Sequence, residues 1–219
     1  MTETITNNVN SRRKTGAFIL IFFFLLSAAF MVYYYKTTRE RPSNNTLPFV
    51  GQGNKVGGFS FTNQEGKIIT DKDVAGKIRV VEYFFTTCKG ICPKMNESLA
   101  RVYDQYRYND KVLFMSHTVD PKKDTVGAMM AYSQKFNADP KHWLFLTGDK
   151  QELYNMARYS YLISAQDDTS GISIDQDFIH DNHFVLVDDD NNIRGFYDGL
   201  QKDEVDKLIG DIKKLLDEK

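Results

Sequence analysis

The chain has two cysteines, Cys88 and Cys92, within Phe85-Thr86-Thr87-Cys88-Lys89-Gly90-Ile91-Cys92-Pro93. Closing so short a loop constrains the unfolded chain by only about 2 kcal/mol before strain is subtracted. A structural staple is therefore a poor use for the pair, and chemistry is a better one. In a helical turn, positions i and i+4 share a face with Cβ atoms about 5–6 Å apart. Two sulfurs so placed can grip one ion or close a disulfide. A helix N-terminus beside Lys89 favours the thiolate, which is both the nucleophile and the metal ligand. The spacing suits redox and metal work alike.

A third ligand separates these two roles. The histidines are His117, His142, His180 and His183, and the last two stand just before an apolar strand that starts near Phe184. Two thiolates and one imidazole suit Cu(I), a soft ion content with few ligands. Structural zinc calls for a fourth strong ligand. Copper is favoured on residues alone, and a plain dithiol redox role stays open beside it. A single loop histidine also serves readily as a surface or hydrogen-bonding residue. Met95, one turn after Cys92, carries a thioether but reads as a core or surface methionine. Asp124 with Thr125 reads as a helix cap, whereas Asp120 is a candidate for orienting the site or meeting a partner.

The elements that must position these residues are legible as runs. Phe59 to Thr70 reads as a β-hairpin turning at Asn63-Gln64-Glu65-Gly66. Ile78–Phe85 and Val112–Val119 read as buried strands, with a helix from Pro93 to about Tyr108 between them. A helix through Phe136, a short strand at Trp143–Leu146 and a helix over Gln151–Tyr159 follow. Ser160 to Asp181 is a long polar loop with room for a small hairpin. Phe184–Val187 and Ile193–Tyr197 pair across a turn. The closing helix, Asp203–Leu216, places Val205, Leu208, Ile209, Ile212, Leu215 and Leu216 at helical spacing. Strands alternating with helices give an α/β sandwich around a mixed central sheet. A reactive cysteine between the first central strand and its helix is the thioredoxin-like layout. In such folds the loop before the late strand passes over the cysteine helix and normally holds a cis-proline; here no proline follows Lys141, and the histidines take the place.

Ahead of that domain, residues 15–35 carry no charge and Ala17–Tyr35 are almost continuously apolar. About twenty helical residues span a bilayer core of roughly 30 Å. Four segments result: a tail over 1–15, a transmembrane anchor over 16–35, a polar linker over 36–53 and the thioredoxin-like domain over 54–219. A cleaved signal peptide with Ser27-Ala28-Ala29 as its processing site is the rival. The apolar run continues past that site, which favours retention. Arg12, Arg13 and Lys14 balance Lys36, Arg39 and Arg41, so flanking charge does not orient the span. A thiol pair with redox or metal duties fits an oxidising compartment, which places the domain outside the cytoplasm. With 28 basic and 29 acidic residues, nothing supports nucleic-acid binding.

Several segments in order resemble the Sco/SenC family of thioredoxin-like copper chaperones for cytochrome c oxidase assembly. Cys88-Lys-Gly-Ile-Cys-Pro93 is similar to its CxxxCP, and Val119-Asp-Pro-Lys-Lys-Asp-Thr125 to its DPxxDT. Trp143-Leu-Phe-Leu-Thr-Gly-Asp149 is similar to its WxFLTG, and His180-Asp-Asn-His-Phe-Val-Leu-Val-Asp188 to the histidine ahead of its penultimate strand. The resemblance covers roughly residues 50–216 and agrees with an N-terminal anchor. It implies a copper ion held by Cys88, Cys92 and His180; His183, which would start the strand itself, is an extra. It also implies the copper-site subunit of the oxidase as partner, with other thiol redox or copper-carrier proteins, and a chaperone in which a thiol–disulfide reductase activity can coexist with metal binding. Asn191-Asn192 replaces the glycine common in the family's next turn, which asparagine tolerates. The main alternative is a thiol–disulfide oxidoreductase using Cys88 and Cys92 without metal. A peroxidase is less well supported, since no arginine lies near Cys88 in sequence.

Overall fold

The computed structural model describes residues 21–34, 46–50, 55–163 and 181–218. The chain divides into residues 1–45 and residues 46–219, each taken by itself here. In the first unit, residues 21–34 are helical (α1) with exposed side chains. Among the described residues no helix is long and apolar enough to cross a membrane. The anchor expected over 16–35 extends at both ends into residues outside the described ones.

In the second unit, the described strands are β1 (Ser60–Asn63), β2 (Ile68–Thr70), β3 (Ile78–Phe84), β4 (Val112–Thr118), β5 (Trp143–Thr147), β6 (His183–Val187) and β7 (Ile193–Asp198). They form one sheet in the order β2-β1-β5-β4-β3-β6-β7. β4 runs parallel to both β3 and β5, and the remaining pairings are antiparallel. This is the mixed sheet flanked by helices that the sequence predicts. β3, β4 and β5 are buried at every position, as strands covered on both faces must be. On one face, Val80, Phe84, Phe114, Trp143 and Phe145 pack with α2 (Cys92–Tyr106), α3 (Val126–Ser133) and α5 (Lys202–Asp217). On the other, Val81, Tyr83, Met115 and Leu146 pack with Phe59, Phe61, Leu153 and Tyr161.

Two helices differ from their sequence reading. The helix expected over Gln151–Tyr159 ends early: α4 spans Lys150–Asn155 and widens into a π-helical stretch, Met156–Ser160. The extra residue per turn re-aims the side chains, so that Met156, Ala157, Tyr161 and Ile163 all reach the core. The helix expected through Phe136 stops at Ser133 and tightens to a 3₁₀ turn, Gln134–Phe136, ended by left-handed Asn137. The closing helix α5 turns Val205, Leu208, Ile212 and Leu215 inward as its spacing predicts.

Candidate metal centre

β3, an interior strand, ends at Phe84, and Phe85 to Ile91 form the loop that carries Cys88. The Cys88 N–H donates to the Phe85 carbonyl at 3.2 Å. α2 begins only at Cys92, with Pro93 in its first turn, where a missing N–H costs nothing. Cys88 therefore precedes the helix, and the pair does not share a helical face as the i, i+4 reading supposed. The loop's own path brings the two free thiols near enough to influence each other's titration. Gly90 lies over Cys88, since a Cβ built there would stand 4.0 Å from its sulfur.

The two thiols differ in character. Cys88 is half-buried and Cys92 is buried. Burial pushes the Cys88 thiol up, but the Cys92 thiol and the N–H groups of Cys92, Gly90 and Ile91 outweigh it and bring it below its ordinary value. Burial, followed by the Cys88 sulfur, pushes the Cys92 thiol up to about 12. Of the two influences that the sequence suggested, the helix N-terminus and Lys89, the first acts on Cys88, through N–H groups at the start of the helix.

A groove of about 600 Å³ opens beside Cys88. Thr86, Pro93, Ala100, Tyr132 and Phe136 are among its walls. Beneath the site lies Glu82, fully buried in β3, whose field reaches Cys92. Sequence reading passed over Glu82, although it alternates with Ile78, Val80 and Phe84 on the core-facing side of a buried strand.

The described histidines have other surroundings. His117 lies in the second core, stacked on Tyr83 at 5.0 Å. His142 Nε2 is 3.7 Å from Asp110. The His183 backbone N–H and ring Nδ1 both meet Asp181 Oδ1 at 2.7 Å. His180, the third ligand expected, lies outside the described residues. Among the described residues no three His, Cys, Asp or Glu side chains converge on a metal-sized space.

Met95 is a core residue, as read. Asp120 pairs with Lys123 at 3.0 Å. The cap assigned to Asp124 is corrected: Thr125 caps α3, accepting from Ala128 N–H. Asp124 instead turns inward and accepts from Thr86 and Thr118. Nothing in the sequence distinguishes it from a capping aspartate.

A family model described as SCO1/SenC matches residues 50–217. A SCO1 homologue from Bacillus subtilis is 27% identical over 159 residues, covering 71% of this chain and 79% of that protein. The mitochondrial SCO1 homologue 1 of Arabidopsis thaliana is 31% identical over 173 residues, covering 76% of this chain but only 48% of that longer protein. Among solved structures, a SCO1/SenC family lipoprotein from Bacillus anthracis superposes with a TM-score of 0.63 at 28% identity, over 74% of this chain and 95% of the other. Arabidopsis thaliana ScoI, solved with copper bound, gives a TM-score of 0.55 at 27% identity, over 72% and 98%.

Proposed function

This chain belongs to the SCO1/SenC family, and on that premise we propose that it is a copper chaperone whose Cys88, Cys92 and His180 hold Cu(I). The observation that carries this reading is a pair of free, adjacent thiols of unequal character at the end of a surface groove. Two soft sulfurs fit a soft monovalent ion far better than a hard one. His180 is taken as the third ligand on the family resemblance, as the histidine six residues ahead of Leu186; His117 lies in the far core and His142 beside Asp110. The recipient is the copper-site subunit of a terminal cytochrome c oxidase, with other thiol or copper-carrier proteins as further partners. Residues 16–35 anchor the chain in the cytoplasmic membrane, residues 36–53 tether it, and the domain from residue 54 onward works on the outer side.

The unequal thiols also favour a second reading, thiol–disulfide exchange. The Cys88 thiolate attacks a partner disulfide and releases one partner thiolate, leaving a mixed disulfide. Cys92 then gives up its proton and attacks Cys88, which releases the second partner thiolate. The partner gains two electrons and this chain ends with a Cys88–Cys92 disulfide. One experiment separates the readings: Cu(I) titration of the full chain in detergent against a competing chelator. One-to-one binding, abolished in Cys88→Ala and Cys92→Ala and weakened about 10–100-fold or more in His180→Ala, is expected of the chaperone. Weak binding that is indifferent to His180→Ala leaves only the oxidoreductase.

A further inference from the structure

Asp124 is wholly buried just before α3 and leaves the capping of that helix to its neighbour Thr125. Its oxygens accept from the Thr86 N–H at 3.2 and 3.1 Å, from the Thr86 hydroxyl, and from the Thr118 hydroxyl at 2.5 Å. The Thr118 oxygen in turn accepts the Asp120 N–H at 2.9 Å. Within the same turn, the N–H groups of Lys123 and Asp124 donate to the Asp120 carbonyl. The carboxylate is thus set in a rigid turn at the end of β4 and bonded to a loop 38 residues away in sequence. Burying a carboxylate is costly unless its oxygens are well bonded, and here two of the three donors belong to one threonine, Thr86. That threonine stands two residues before Cys88, and both line the groove.

We infer that Asp124 is a positioning residue: through Thr86 it fixes the loop that carries Cys88 and so holds the Cys88 sulfur against Cys92. The inference rests on Cys88 and Cys92 being the working pair, as under the proposed function. With the latch intact the loop is ordered before any ion or disulfide forms. With it open, the loop must be ordered anew each time, which weakens both events.

Two measurements on the full chain test this. One is Cu(I) affinity by chelator competition. The other is the equilibrium of the metal-free pair with glutathione, in which two cysteine thiols and one glutathione disulfide give the Cys88–Cys92 disulfide and two glutathione thiols. Asp124→Ala and Thr86→Val are expected to weaken Cu(I) binding about 10–100-fold, the usual range for a group that orients a ligand. Both should also shift the glutathione equilibrium several-fold toward the dithiol. Thr86→Ser, which keeps the hydroxyl, restores both. Thr125→Ala removes the adjacent helix cap and is expected to lower the melting temperature while moving neither quantity. The inference is overturned if folded Asp124→Ala, or Thr86→Val where Asp124→Ala does not fold, keeps the parent values. It is equally overturned if Thr125→Ala moves both as far. Should the parent chain bind no Cu(I), the proposed function fails, and the glutathione equilibrium alone decides the latch.

Discussion

Glu82 and His117 are buried titratable residues on the central strands, facing opposite cores. Glu82 pairs in register with Ser116, and Tyr83 with His117. The Ser116 hydroxyl donates to Glu82 Oε1 at 2.6 Å, while Oε2 has no partner among the described residues. Burial, only partly opposed by Ser116, pushes the Glu82 carboxyl up to about 8. Burial likewise pushes the His117 imidazole down to about 3, and neither ring nitrogen has a partner among the described residues. Both side chains are therefore uncharged in the folded protein near neutral pH. Above its unfolded value of 4.5, Glu82 keeps a proton that the unfolded chain has lost, so its contribution falls as pH rises toward about 8. Below 6.5 the unfolded chain protonates His117 while the folded chain does not, so stability falls as pH drops toward about 3. Between about 4.5 and 6.5 the two slopes cancel. Outside that window each net limb covers about 1.5 pH units, which at about 1.4 kcal/mol per unit amounts to roughly 2 kcal/mol. Urea unfolding across pH 3–9 should show a plateau near pH 5–6 with falls on both sides. Glu82→Gln should flatten the alkaline limb and His117→Phe the acid limb. Unchanged limbs in both variants would mean that these groups are hydrated in the folded state.

The turn between β6 and β7 shows how an element is set by one residue. Asp188 Oδ1 accepts the N–H groups of Asp190 and Asn192, and Asn191 takes a left-handed φ of 68°. The Asn191 side-chain oxygen also accepts from Arg79 Nη2 at 2.5 Å, giving a buried guanidinium a partner besides the Asp188 carbonyl. Asn191→Ala loses both the tolerance for that φ and the hydrogen bond, and is expected to cost about 2–3 kcal/mol. Asn191→Gly keeps the φ and should cost less; equal losses would leave the bond to Arg79 as the sole contribution. That asparagine was readable because its preference is local. The buried strands, the first hairpin and the closing helix were readable for the same kind of reason, since Ile78–Phe84 or Val205–Leu215 declare their burial in their own spacing. The Cys88 loop was not, because its conformation depends on Asp124, a partner 38 residues away. The π-helical stretch after α4 escaped too, since Met156–Ser160 has an apolar pattern compatible with an ordinary helix and the fit to the core decides. Of the proposed ligands, the cysteines stood out by type and spacing. His180 depended on a resemblance, and it lies outside the described residues.

Across the whole second unit, one side chain ties distant parts of the chain together. Arg194 on β7 is buried, and its guanidinium donates to the carbonyls of Leu47 and Pro48, to Asp188 at 3.0 Å and to Glu218 at 3.2 Å. The Phe49 ring lies 4.6 Å from its centre. The segment leading into the domain is fixed at the same place, with Leu47 N–H on Glu218 and Val50 N–H on the Ile193 carbonyl. A planar fork can meet carbonyls and carboxylates in several directions at once, which a single ammonium cannot. Removing it takes the ion-pair partner from buried Asp188 and a donor from two carbonyls, and losing one partner of a buried ion pair typically costs about 3–5 kcal/mol. Arg194→Ala is accordingly expected to lower stability by that amount in urea unfolding, and Arg194→Lys to recover less than half. Glu218→Gln, at the more exposed end, should cost only about 1 kcal/mol. Because Asp188 and Arg194 are shielded from solvent, the Arg194→Ala loss should persist at high salt. A loss that salt abolishes would place the interaction on the surface and remove the clamp that joins the chain's lead-in segment to its last helix.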